Sequence, residues 1–195
     1  MNGNEVQWDI SIANFFEEVV PQIFRDELKE HPVQDMEGHD FKLQFSITGE
    51  GPATYGIIVK NGTELNVVTN GIPDPQITFE LSEKDWRDSI TGKEGGDAVM
   101  GMFFNPAMLN RSKYDTLLGI KGTMNLVLSR TDGEPFKAKM RFNNADIPVS
   151  TISMKAAEYS AMLKGEINPI MAFMSGKLKI AGDMGLALKL QVFIK

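Results

Sequence analysis

The stretch SGKLKIAGDMGLALKLQVFIK, residues 175–195, carries the pattern around which the rest of the chain is organised. From Leu178 onward every even position except Gly182 is apolar: Leu178, Ile180, Met184, Leu186, Leu188, Leu190, Val192 and Ile194. Lys177, Lys179, Asp183, Lys189, Gln191 and Lys195 fall on odd positions. Successive side chains of an extended chain point to opposite faces, so a period of two predicts one or two strands with an apolar and a wet side. Gly182-Asp183-Met184-Gly185 interrupts the run, and a bend, a bulge or a tight turn is expected there. The apolar side needs a cover, which the remaining 174 residues must supply.

Composition narrows the class. With 195 residues and 42% apolar content the chain can build one large domain or two small ones. No run approaches the roughly 20 apolar residues that span a bilayer, and the opening MNGNEVQWD lacks the parts of a secretory signal, so a cytoplasmic protein is expected. The absence of cysteine excludes disulfides, thiolate metal sites and cysteine nucleophiles. A formal charge of −6 argues against nucleic acid and against broad contact with anionic headgroups; the stripe Lys177, Lys179, Lys189 reads as a solvated strand face. Twelve methionines exceed what a small core needs and suit surfaces that mould to varied apolar shapes, although ordinary core filling accounts for them too.

Taken in order, the chain opens with an amphipathic helix over Asp9–Glu30. Ile12, Phe15, Phe16, Val19, Val20, Ile23, Phe24 and Leu28 recur at spacings of three and four, Asp9 or Ser11 can cap, and Pro21 either bends the helix or divides it. Its apolar stripe is expected on the protein's own core, since the polar face lacks the basic residues of a membrane-lying helix. His31 to Asp40 reads as a linker; its two histidines and three carboxylates match no metal-site spacing, and no cofactor is expected. FKLQFSIT from Phe41, TYGIIVK, the hairpin signal Asn61-Gly62, ELNVVT and QITFELS then read as strands. Ser82-Glu83-Lys84-Asp85 opens a short helix showing Trp86 and Ile90 on one face and ending at Gly92. The Gly-rich KEGGDAVMG that follows does not have the strand before it that a phosphate loop needs, so it reads as an insertion.

An internal repeat emerges when the second half is laid on the first. PQITFELSEKDWRDSITGK from Pro75 matches PVSTISMKAAEYSAMLKGE from Pro148 without a gap, pairing Phe79 with Ile152, Leu81 with Met154, Trp86 with Tyr159, Ile90 with Leu163 and Gly92 with Gly165. Downstream, Asn105-Pro106 meets Asn168-Pro169, and the stretch around Gly122 meets that around Gly182. The expected architecture is α+β: a mixed, mostly antiparallel sheet with helices on one face, made pseudo-symmetric by duplication. Its division is an N-terminal helix and linker (1–35), a first half (36–130) and a second half (123–195) within one continuous globular unit, with the strand after Gly122 serving both halves.

The run from Ile167 through Asn168-Pro169, Gly176-Lys177-Leu178-Lys179-Ile180 and Gly182-Asp183-Met184 to Leu190 resembles the closing signature of the sterol carrier protein type 2 family. Lys164-Gly165-Glu166 stands where the family has Gly-Lys, and the first half also resembles the family from Phe41 to Gly92, with a weaker tail at Asn105-Pro106 and Ile120-Lys121-Gly122. Two departures are evident: family domains usually carry a single copy of the pattern, and many have residues after the last strand that help close the pocket, whereas this sequence stops at Lys195; it also lacks a C-terminal Ser-Lys-Leu address.

What the resemblance implies is a non-enzymatic carrier or presenter of a lipid (sterol, fatty acid, acyl-CoA or phospholipid) in an apolar tunnel between sheet and helices. The cavity is expected to be lined by Trp86, Ile90, Phe103, Phe104, Met108, Tyr159, Met162, Leu163, Ile170, Met171, Phe173 and Met174, each of which could instead be plain core. Stable membrane insertion is not expected, and the edge of the last strand could pair with a second copy. The other reading keeps the fold as an accessory scaffold for partner binding or oligomerisation. An enzyme is not expected, because no nucleophile–base pair is evident and the carboxylates are scattered.

Overall fold

A computed structural model of the chain describes residues 6–93, 110–131 and 133–190. Its strands are β1 (Asp40–Thr48), β2 (Ala53–Lys60), β3 (Glu64–Thr69), β4 (Ile77–Ser82), β5 (Gly122–Ser129), β6 (Phe136–Phe142), β7 (Val149–Lys155) and β8 (Lys179–Gly182). They form one sheet in the order β3-β2-β1-β4-β6-β5-β7-β8. The β1–β4 and β5–β7 pairs are parallel and the others antiparallel, so the sheet is mixed and mostly antiparallel. The β2–β3 hairpin turns at Asn61 and Gly62, both at positive φ (53° and 73°), a conformation that Asn and Gly reach at low cost.

Register decides which side is inside. Leu43 lies opposite Ile77, Ile77 opposite Phe142, Phe142 opposite Gly122, and Leu126 opposite Ile152. Phe41, Phe45, Ile47, Phe79, Leu81, Leu128, Met140 and Met154 therefore share one face and are buried. Lys42, Gln44, Glu80, Lys139, Arg141 and Asn125 lie on the other face. The alternation read from Phe41 onward reflects this one-sided burial.

The helices cover the apolar face. The N-terminal segment is a single helical run: α1 (Ile12–Asn14), a wider π turn (Phe15–Val19) and α2 (Val20–Glu30). Ser11 caps it, its side chain accepting from the Asn14 N–H at 3.0 Å. Pro21 does not divide the run. A proline N–H cannot bond four residues back and its ring crowds that carbonyl; the turn before it widens instead, with the Val20 N–H reaching the Phe15 carbonyl. Phe15, Phe16, Val20 and Phe24 are buried in the main core, Phe16 stacking on Tyr55 with ring centres 4.7 Å apart.

The other helices are short: α3 (Glu83–Ile90), α4 (Arg111–Leu118), α5 (Ala156–Leu163), α6 (Pro169–Met174) and α7 (Met184–Leu190). At α3 the Ser82 hydroxyl accepts from the Asp85 N–H at 3.0 Å and donates to the Asp85 carboxylate at 2.8 Å, so the Asp-for-Glu capping box closes on the Ser side chain.

The C-terminal stretch departs from expectation. Only Lys179–Gly182 is a strand; Met184–Leu190 is helical, and residues 191–195 lie outside the described set. Leu186, Ala187 and Leu190 are buried while Met184 and Leu188 are exposed, the signature of a helix face rather than a strand side. Asp183 starts the helix, its side chain accepting from the Leu186 N–H at 2.7 Å.

In the sheet β6 stands between β4 and β5, so the strand after Gly122 is bordered by β6 and β7. Gly122 and Gly182 flank the start of β7. Thr123 N–H donates to the Pro148 carbonyl and Asp183 N–H to the Val149 carbonyl, both at 2.8 Å. At positive φ (126° and 89°), a Cβ on either glycine would meet those same carbonyls at 2.4 Å and 2.3 Å, so both positions require glycine.

Candidate functional site

The residues expected to line a cavity separate into four groups. Trp86, Tyr159 and Met162 lie inside, on the helices facing the sheet, and belong to the main apolar core. Ile90 and Leu163 are half-buried against it. Phe103, Phe104 and Met108 lie outside the described residues. Ile170, Met171, Phe173 and Met174 point outward, at 56%, 62%, 43% and 74% exposure, while Ala172 of the same helix is buried. The six-residue α6 therefore anchors through one small side chain and turns its large ones away.

Trp86 is the most constrained of the set. It is 0% exposed, meets Phe15 edge-on with ring centres 5.5 Å apart, and lies under the Arg87 guanidinium at 5.2 Å. Its indole N–H is buried and has no hydrogen-bond partner among the described residues. An unmet buried donor costs about 1–3 kcal/mol, so an acceptor delivered into this interior would find a ready partner. Ser150, at the start of β7 on the inner face, likewise buries its hydroxyl oxygen without a partner. Burial pushes the Tyr159 phenol upward, so it stays neutral and adds no charge to the apolar face.

A buried ionic cluster at the end of β5 went unread in the sequence. Arg130 reaches Asp88 at 2.9 Å and Asp85 at 3.8 Å, lies over the Phe136 ring at 5.5 Å, and joins α3 to the second half of the sheet. Lys84 and Lys93 also pair with Asp88, at 3.1 Å and 3.3 Å. Burial alone would raise the Asp88 carboxyl, but Lys84, Lys93 and Arg130 together outweigh it and hold it below the usual carboxylate range. The available signal was the spacing of Asp85 and Asp88, which places both on one side of α3. An acid so tied to cations is poorly suited to proton transfer. His39, in the segment before β1, contacts Arg111 and the Tyr114 ring. Among the described residues no group of three or more His, Asp or Glu side chains could hold a metal ion, and no helix is long and apolar enough to cross a membrane.

Residues 116–195 match the SCP-2 sterol transfer family. Hydroxysteroid dehydrogenase-like protein 2 of Xenopus tropicalis is 60% identical over 40 residues, 20% of this chain and 10% of that protein. The Danio rerio protein of the same name is 27% identical over 173 residues, 89% of this chain and 33% of its own. Sterol carrier protein 2 of Homo sapiens is 54% identical over 41 residues, 21% and 8% of the two chains. The chain thus spans a third or less of the length of these relatives. Among solved structures, apo sterol carrier protein 2 from Yarrowia lipolytica aligns with a TM-score of 0.38 at 16% identity, covering 51% of this chain and 85% of that one. The sterol carrier protein domain 2 of Helicoverpa armigera aligns with a TM-score of 0.27 at 16% identity, covering 95% and 90%. The match to the SCP-2 sterol transfer family begins in the second half of α4 and takes in β5–β8 and α5–α7.

Proposed function

We propose that this chain binds a lipid or similar apolar molecule between the inner face of its sheet and its helices, and carries or presents it without chemical change. The observation that carries this reading is the sterol-transfer domain at residues 116–195, which supports lipid binding and transfer. Its inner sheet face is built from Leu126, Leu128, Phe136, Met140, Ile152 and Met154, with α5 and α7 packed over it. Helices of seven or eight residues are held by packing rather than by their own propensity, so they can part from the sheet at modest cost and admit a chain of methylenes. Burying each methylene contributes about 0.8 kcal/mol, enough for a medium acyl chain to offset the ordering it imposes. A polar end with an acceptor oxygen would meet the Trp86 indole N–H.

The same reading treats residues 36–130 and 123–195 as two halves of one repeated plan. In each, a hairpin (β1–β2, β5–β6) precedes a strand parallel to its first member (β4, β7), which runs into a helix (α3, α5).

Trp86 reports on the interior directly once the exposed Trp8 is removed. Titrating a Trp8→Phe variant with a medium-chain fatty acid should shift and partly quench the Trp86 emission to saturation at one or two equivalents per chain. Emission that stays constant while the ligand is in excess would exclude a ligand in this interior.

A further inference from the structure

Two neutral polar groups facing the apolar interior have no hydrogen-bond partner among the described residues: the Trp86 indole N–H and the Ser150 hydroxyl. Both residues are 0% exposed. Thr78 and Arg141, which also bury an unpaired atom, stand opposite each other in β4 and β6, one position from the inward pair Phe79 and Met140, and so belong to the outer face. Burying the indole N–H or the serine hydroxyl unpaired opposes folding, and a ligand atom that pairs with it removes that cost.

The two groups stand at opposite ends of the inner face. Ser150 lies beside Met124, near the start of β5, and opposite Gly182, which places no side chain next to the hydroxyl on the β8 side. Trp86 belongs to α3, which starts at the end of β4, and its neighbours Asp85 and Asp88 reach Arg130 just past the end of β5. From the level of Met124 to that of Leu128 is about 13 Å of strand, and from β7 to β4 is about 14 Å of sheet. The separation is therefore on the order of 15–20 Å, the length of one acyl chain in a bilayer leaflet. Leu126, Leu128, Met140, Ile152 and Met154 fill the face between, all buried and apolar. The ends differ in chemistry: an indole N–H only donates and takes an oxygen acceptor, whereas a serine hydroxyl also accepts and can receive the hydrogen of another hydroxyl.

We infer that the ligand is a lipid with a polar group at each end, a carbonyl or carboxylate oxygen at Trp86 and a hydroxyl at Ser150, joined by an apolar body about one acyl chain long. A single molecule of this kind spans the sheet from α3 to the start of β7, whereas a plain acyl chain satisfies Trp86 and leaves Ser150 unmet. The inference rests on the lipid-carrier reading and names the ligand class for it.

The test sets the methyl esters of palmitic acid and of ω-hydroxypalmitic acid, which differ only in the terminal hydroxyl, against a fluorescent fatty acid bound to the full chain. In a wholly apolar interior the hydroxyl would weaken binding, because it leaves water without gaining a partner. Here the hydroxy ester should bind about fivefold tighter than the plain one, and Ser150→Ala should lower its affinity about tenfold while moving the plain ester by less than about twofold, so that the preference inverts. Ser150→Ala also removes a buried unmet group, so the urea midpoint of the lipid-free protein should hold or rise. A fall would show that the hydroxyl is already paired within the fold, and would overturn the inference. So would a parent that favours the plain ester or treats the two alike, an advantage of the hydroxy ester that survives Ser150→Ala, or an equal loss of both esters in that variant. If the parent binds the fluorescent acid and the plain ester but gains nothing from the hydroxyl, the two-ended ligand fails and the carrier reading stands; if it binds neither, the carrier reading itself fails.

Discussion

Two apolar helical segments at opposite ends of the described chain meet different fates. The N-terminal run Ile12–Glu30 turns its aromatic stripe inward, where Phe16 is fully buried between Tyr55 and Phe45. The six-residue α6 is denser in apolar side chains, yet turns four of its large ones outward. Length and partner surface account for the contrast. Nineteen residues give five turns and an apolar stripe matched to the first half of the sheet, whereas one and a half turns can place only Ala172 against the core. Apolar content alone does not say whether a helix stabilises the fold or offers a surface; the geometry of its neighbours does.

The contrast predicts stability effects that differ widely for similar truncations. Phe16→Ala should cost about 3–5 kcal/mol in urea unfolding, since a stacked, fully buried ring leaves a cavity that the sheet cannot fill. Next in size, Asp88→Ala should cost about 3 kcal/mol by leaving Arg130 buried against the weaker Asp85 contact, and because this pair ties α3 to β5 it should loosen both halves at once. The same carboxyl sets a pH dependence. Its folded pKa is depressed, so its contribution is present above the ordinary carboxylate value near 4 and is lost as pH falls through the folded value. The urea midpoint of the parent should therefore drop more steeply below about pH 4 than that of Asp88→Asn. Ser82→Ala, which removes the cap of α3, should cost about 1 kcal/mol. Smallest of all, Met174→Ser should change stability by less than about 0.5 kcal/mol; a cost approaching that of Phe16→Ala would erase the distinction between the two segments.

Much of this fold was legible because its strands are buried on one side only. The alternation from Phe41 and the Asn61-Gly62 turn placed β1 to β3, and the Ser82 cap placed α3. The C-terminal stretch was misread for a physical reason. Leu186 and Leu190 are even-numbered, as a strand side requires, and four apart, as a helix face requires; over seven residues the two periods coincide. Asp183, which caps α7, was the discriminating residue. The buried ion cluster was hidden because Arg130 is 42 positions from Asp88, and only the sheet topology brings them together. At the candidate site, apolarity marked Trp86, Tyr159 and Met162 as interior, but it could not tell them from Ile170, Met171, Phe173 and Met174, since orientation on so short a helix depends on what lies beneath it.

The central claim is that the interior carries a lipid, and native mass spectrometry of the purified chain, followed by solvent extraction of whatever it releases, tests it most directly. The account predicts a mass above that of the 21.6 kDa chain by one or two equivalents of a lipid, recovered and identified in the extract. A mass equal to the bare chain, unchanged after incubation with fatty acids and sterols, would contradict it.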